Sequence, residues 1–115
     1  MAEIVDDSIL TSVKAALGIV DSYDYFDSQL VDWINTVFSI LSQLGVGPDS
    51  GFCISDKTTM WSEYLDNNKL LLIVKSYVFK KVKLMFDPPQ NSFSVESLNK
   101  EIQELEWRIN IAVGG

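Results

Sequence analysis

The stretch NKLLLIVKSYVFKKVKLMF (68–86), stopped by Asp87-Pro88-Pro89, decides how this chain folds. Twelve of its positions are large and apolar: Leu70, Leu71, Leu72, Ile73, Val74, Tyr77, Val78, Phe79, Val82, Leu84, Met85 and Phe86. At about 100° per residue on a helical wheel, Lys69, Ser76, Lys80 and Lys83 share one narrow polar strip. Lys75 and Lys81 fall inside apolar territory. A helix apolar over most of its circumference must be covered on several sides. Asn67 or Asn68 caps its start. Proline cannot continue a helix and restricts the residue before it, so Asp87 ends it.

Working outward, every other segment also reads as helix. Towards the C-terminus, a helix begins near Ser92 or Ser94. Its main stripe is Val95, Leu98, Ile102, Leu105, Ile109 and Ala112, with Trp107 and Ile111 pointing to the opposite side. Towards the N-terminus, Met60, Trp61, Tyr64 and Leu65 suggest a short helix of about two turns, capped by Thr58 or Thr59. Positions 48–58 form a loop, in which Phe52, Cys53 and Ile54 read as a short extended piece. Before it, Leu30, Trp33, Ile34, Val37, Phe38, Leu41 and Leu44 mark the cleanest amphipathic face in the chain. Asp27 or Ser28 caps that helix, and Gly45-Val46-Gly47-Pro48 ends it. A first helix of about three turns carries Ile9, Leu10, Val13, Ala16 and Leu17. It starts from the acidic run Asp6 to Ser8 and closes at Gly18, with Ile19 folding back. Asp21 to Asp27 (DSYDYFD) is a linker rich in turn formers. The prediction is one all-α domain over 1–115: a small bundle of four main helices plus one short helix, with the long central helix near 68–86.

Composition narrows the chemistry. The 115 residues carry a formal net charge of −7, which argues against a general grip on nucleic acid. No histidine is present, so the commonest general base and metal ligand are missing. The expectation is no enzyme, no cofactor and no metal site. Cys53 is the one cysteine, read as a half-buried structural thiol. Met1 to Asp7 lacks the basic start and apolar run of a secretory signal, so synthesis in a cytosol is expected. The longest apolar run, Leu70 to Val74, is too short to span a bilayer. Asp21, Asp24 and Asp27 have calcium-loop spacing but lack that loop's glycine and terminal glutamate. A second acid cluster, Glu3, Asp6 and Asp7 near the start, is likewise not read as a metal site. Glu101, Glu104 and Glu106 read as a solvated helix face rather than a catalytic pair.

Surface use is left to a few residues. Five of the nine bases lie between Lys69 and Lys83. They are either a solvated strip whose stems cover apolar surface or partners for acidic patches on an identical neighbour. Trp107 and Ile111 either pack under Pro88-Pro89 or onto the short helix, or they contact another subunit, where aromatics and arginine are favoured anchors. The interface candidates are Lys75, Lys81, Trp107, Arg108 and Ile111. A soluble helical module that binds or regulates a partner is the alternative reading.

Three pieces in order carry a resemblance: Leu44-Gly45-Val46-Gly47-Pro48, then Leu84-Met85-Phe86-Asp87-Pro88-Pro89, then Glu104-Leu105-Glu106-Trp107-Arg108-Ile109-Asn110. Over roughly residues 8 to 113 the chain resembles the head–tail connector (adaptor) proteins of tailed phages and prophages. The resemblance implies a virion neck protein. Its subunits form a ring of about a dozen copies, placed between the portal protein and the next neck or tail protein. DNA passes through that ring without specific binding, and no membrane is involved. Asp87-Pro88-Pro89 would reverse the chain, and Trp107-Arg108 would anchor the last helix.

Overall fold

A computed structural model describes residues 7–114. Five helices follow in order: α1 (Ile9–Ala16), α2 (Asp27–Gln43), α3 (Trp61–Tyr64), α4 (Asn68–Phe86) and α5 (Ser92–Ala112). No strand occurs among the described residues; one isolated bridge joins Ser8 and Met60. The all-α bundle expected from the sequence is therefore the fold.

The helix ends follow from local chemistry. Ser8 accepts from the Thr11 amide and caps α1. At its other end Gly18 takes φ +80, and the Ile19 amide returns to the Lys14 carbonyl at 2.8 Å. Gly45 closes α2 in the same way, with φ +92 and the Val46 amide on the Leu41 carbonyl at 2.9 Å. Only a residue free of a Cβ takes that conformation cheaply, and the returning amide satisfies a carbonyl left over at the helix end. Asn67 and Asn91 cap α4 and α5.

The core explains the order of layers. Val74, Tyr77, Val78 and Val82 of α4 are buried with Leu30, Ile34, Val37, Phe38 and Leu41 of α2 and Ile9, Leu10 and Val13 of α1. The Phe86 ring of α4 meets Phe26 and Trp33 at the start of α2 (5.0 and 5.9 Å), so α2 and α4 run antiparallel. On another side of α4, Lys80 pairs with Glu101 and Tyr77 with Glu106, so α5 is antiparallel to it too. Asp87-Pro88-Pro89 thus reverses the chain as expected. α4 is the shared inner helix, touched by α1, α2 and α5.

Several local expectations are corrected. The segment α3 is a single turn of four residues, and neither Thr58 nor Thr59 caps it. Met60 stands at its N-cap, with the Glu63 carboxylate accepting from the Met60 amide at 2.9 Å. Asp7 holds the same turn from outside: its carbonyl accepts from the Trp61 amide and its carboxylate from the Ser62 amide. The turn stays short because Trp61 is fully buried and donates its indole N–H to Ser12 Oγ at 2.8 Å, which fixes it against α1. Asp27 is not a cap: Phe26 occupies that position, and Asp27 begins α2. Cys53 is exposed rather than half-buried. The run Phe52–Ile54 does pack on the helices as expected, with Ile54 buried and Phe52 against the core. Asn35 of α2 holds it by bonding both the amide and the carbonyl of Ile54 (2.8 and 2.9 Å). On α5, Ala112 is exposed and Val113 packs on the core instead. Glu3 and Asp6 lie outside the described residues.

Candidate functional site

Helix α5 has two apolar sides. Ile102 and Ile109 are buried on the side facing α4, with Leu98 and Leu105 packed beside them. At about 100° per residue, Phe93, Lys100, Trp107 and Ile111 fall on the opposite side. There Trp107 is 62% exposed and Ile111 53% exposed. Such exposure does not fit packing under Pro88-Pro89 or onto the short helix, one of the two expectations for this pair. The anchoring expected of Trp107-Arg108 is done instead by Ile102, Ile109 and the Tyr77 hydroxyl, which donates to Glu106 at 2.7 Å. Burial, and then the Glu106 carboxylate, push the Tyr77 phenol well above its usual range. Arg108 lies along the helix surface, its Nε and Nη2 both donating to one Glu104 oxygen (2.9 and 2.7 Å). Glu101 pairs with Lys80, and Glu101 and Glu104 stay exposed as the solvated face expected, whereas Glu106 is half-buried against Tyr77.

The two lysines in apolar territory are each held over a ring. Lys75 Nζ stands 5.5 Å from the Trp61 ring centre, and Lys81 Nζ 5.9 Å from that of Tyr77. The attraction of an ammonium for a ring face explains why both stay half-buried without a carboxylate partner among the described residues. Their stems cover Trp61 and Tyr77 while the charges stay near water. Thus the structure puts Lys75 on the α3 side of α4 and Lys81 on the flank bearing Tyr77, away from a single shared site.

Lys14 is the functional-looking residue that the sequence reading missed. It is buried, with Nζ 2.9 Å from Asp27 Oδ1 and donating to the Asp21 carbonyl at 2.8 Å. Thr11 Oγ1 donates to the Asp21 carboxylate at 2.9 Å. These bonds tie both ends of the DSYDYFD linker to α1. The signal was present: Lys14 lies between Leu10 and Leu17 on the apolar stripe, ahead of a run of aspartates. An open cleft of about 690 Å³ lies beside the linker, walled by Asp21, Asp24, Asp27, Asp32 and Asp56. The Asp56 carboxyl is held below its usual range by hydrogen bonds from the Thr58 hydroxyl and amide. Among the described residues, no group of three or more Cys, Asp or Glu is placed to hold a metal ion.

Apolar residues thus remain uncovered on an outer face of α5, while the buried polar groups Lys14 and Tyr77 are tied internally. The family of phage connector proteins matches residues 9–115. The chain belongs to this family. Comparison with curated proteins and with solved structures gives no match. A connector has a structural role, so the surfaces of the bundle are its working parts. Among the described residues, no helix of this connector is long and apolar enough to cross a membrane.

Proposed function

We propose that this connector is a ring subunit of the virion neck, joining the portal-bearing head to the tail and continuing the DNA channel. The observation that carries the reading is the second apolar side of α5. Trp107 and Ile111 stand 62% and 53% exposed opposite a buried face, in a chain of the connector family. Large exposed apolar residues on an ordered helix are what an assembly contact leaves uncovered in the free subunit. Trp107, Arg108 and Ile111 serve as a contact between copies, and Lys75 and Lys81 meet carboxylates of a neighbour. Copies arranged head to tail close into a ring when the rotation per subunit divides the circle, at about a dozen copies.

The portal protein and the next neck or tail protein are the other partners. The net charge of −7 suits a channel wall, since negative charge repels phosphate and leaves passing DNA unheld. Acids of the N-terminal half or of α5 line the lumen on this reading. The test is mass measurement of the purified protein, alone and mixed with portal-bearing particles. A high-order ring, with acidic side chains inward, is expected. A chain that stays monomeric and never joins such particles contradicts the reading, and a ring with a basic lumen contradicts the channel part.

A further inference from the structure

Two exposed patches of this chain are complementary in both shape class and charge. The first is the strap between α1 and α2. Its Val20 and Tyr25 are 67% and 76% exposed, and the rings of Tyr23, Tyr25 and Phe26 meet tilted or edge to face with centres 5.0 to 6.3 Å apart. The Asp24 carboxylate has no ion-pair partner among the described residues, and Asp21 has only Lys57 at 3.9 Å. The strap is ordered before any contact, because Lys14 and Thr11 hold Asp21 and Asp27. Such preorganisation lowers the entropy lost on binding. The second patch is the N-terminal half of α4. Leu72 is 69% exposed, and Lys69 and Lys75 flank it at i−3 and i+3 on the same side of the helix. Neither lysine has a carboxylate partner among the described residues.

The two patches of one molecule cannot meet. The strap is fixed to the C-terminal end of α4 by Phe26 on Phe86 at 5.0 Å. Leu72 lies fourteen residues earlier, about 21 Å along the helix axis. A contact between them therefore joins different copies, and it is heterologous, the kind that propagates around a ring. We infer that the strap of one copy docks on the Lys69–Leu72–Lys75 patch of the next, with Tyr25 against Leu72 and Asp21 and Asp24 facing the two lysines. This deepens the ring reading and rests on it. Tyrosine is a favoured contact anchor, and opposed charges at its rim set orientation.

The experiment is a charge swap followed by sedimentation and native mass measurement, alone and with portal-bearing particles. Asp24→Lys and Lys69→Glu each weaken self-association about tenfold or more, and the two together restore it. Added salt weakens the wild-type association. In a Cys53→Ser background, Ser22→Cys with Ser76→Cys gives a ladder of oxidised multimers, whereas either cysteine alone stops at dimers. All substitutions sit on exposed residues, and helical circular dichroism checks that the bundle is intact. If the wild type assembles while the single charge variants assemble equally well and no ladder forms, the docking is wrong and the ring reading stands. If the wild type never assembles, both fail.

Discussion

The Lys14 ammonium lies 2.9 Å from the Asp27 carboxylate, with the Lys14 side chain only 2% exposed and that of Asp27 32% exposed. This inequality makes the pair asymmetric. Removing Asp27 strands a buried ammonium, whereas removing Lys14 leaves a carboxylate whose Oδ1 is buried but whose remainder water still reaches. Asp27→Ala should destabilise the fold by about 3 kcal/mol, and Lys14→Met by about half of that or less. Urea unfolding followed by circular dichroism reads both. Equal losses would mean that the pair is not buried as described.

The two buried tyrosines should respond oppositely to loss of their hydroxyls. Tyr77 donates to Glu106 and so ties α4 to α5. Tyr77→Phe should cost about 1–2 kcal/mol, since the acceptor is a carboxylate. The Tyr64 hydroxyl is buried with no hydrogen-bond partner among the described residues. Tyr64→Phe should be neutral or slightly stabilising, because it removes a buried, unpaired polar group.

Alkaline pH should unfold the bundle through the same residues. Burial raises both phenols above their ordinary value of 10.0. A group whose folded pKa is raised contributes stability that is complete below the unfolded pKa and lost above it. Stability from these phenols should therefore be flat to about pH 10 and fall as pH rises further. The doubly substituted Tyr64→Phe, Tyr77→Phe chain should lose much of that alkaline slope in pH-dependent urea unfolding.

The glycines at 47 and 18 differ in what a side chain would meet. A Cβ at Gly47 would stand 2.7 Å from Tyr64 Cε1, and φ there is +93. Gly47→Ala should cost at least about 2 kcal/mol, combining strain with displaced packing. Gly18 has φ +80 and open space around it, so Gly18→Ala should cost only about 1 kcal/mol. Thermal melting of the two variants checks the order.

Much of this fold was legible because its signals are local. Gly18 and Gly45 mark helix ends by conformations that other residues resist, and Asp87-Pro88-Pro89 forbids helix outright. The opposed sides of α5 follow from spacing alone. What escaped depends on partners distant in the chain. Trp61 could be placed in a helix, but its bond to Ser12 and the Asp7 bracket that keep α3 to one turn cross more than forty residues. The sequence places Lys75 and Lys81 in apolar territory; that each rests over a ring depends on where Trp61 and Tyr77 lie in space. Lys14 was overlooked because a lysine on a helix reads as surface unless its acids are brought to it.

Trp107 is the most direct handle on the assembly claim. Its ring is exposed in the single chain, so Trp107→Glu should change unfolding stability by no more than about 0.5 kcal/mol. Combined with Ile111→Glu, it should abolish association. The decisive measurement is the mass of the wild type and of this double variant, each mixed with portal-bearing particles. The account predicts a closed ring for the wild type and free monomer for the folded variant. A variant that still forms the ring would contradict the claim that the outer side of α5 holds the assembly together. A wild type that never leaves the monomer would contradict the ring itself.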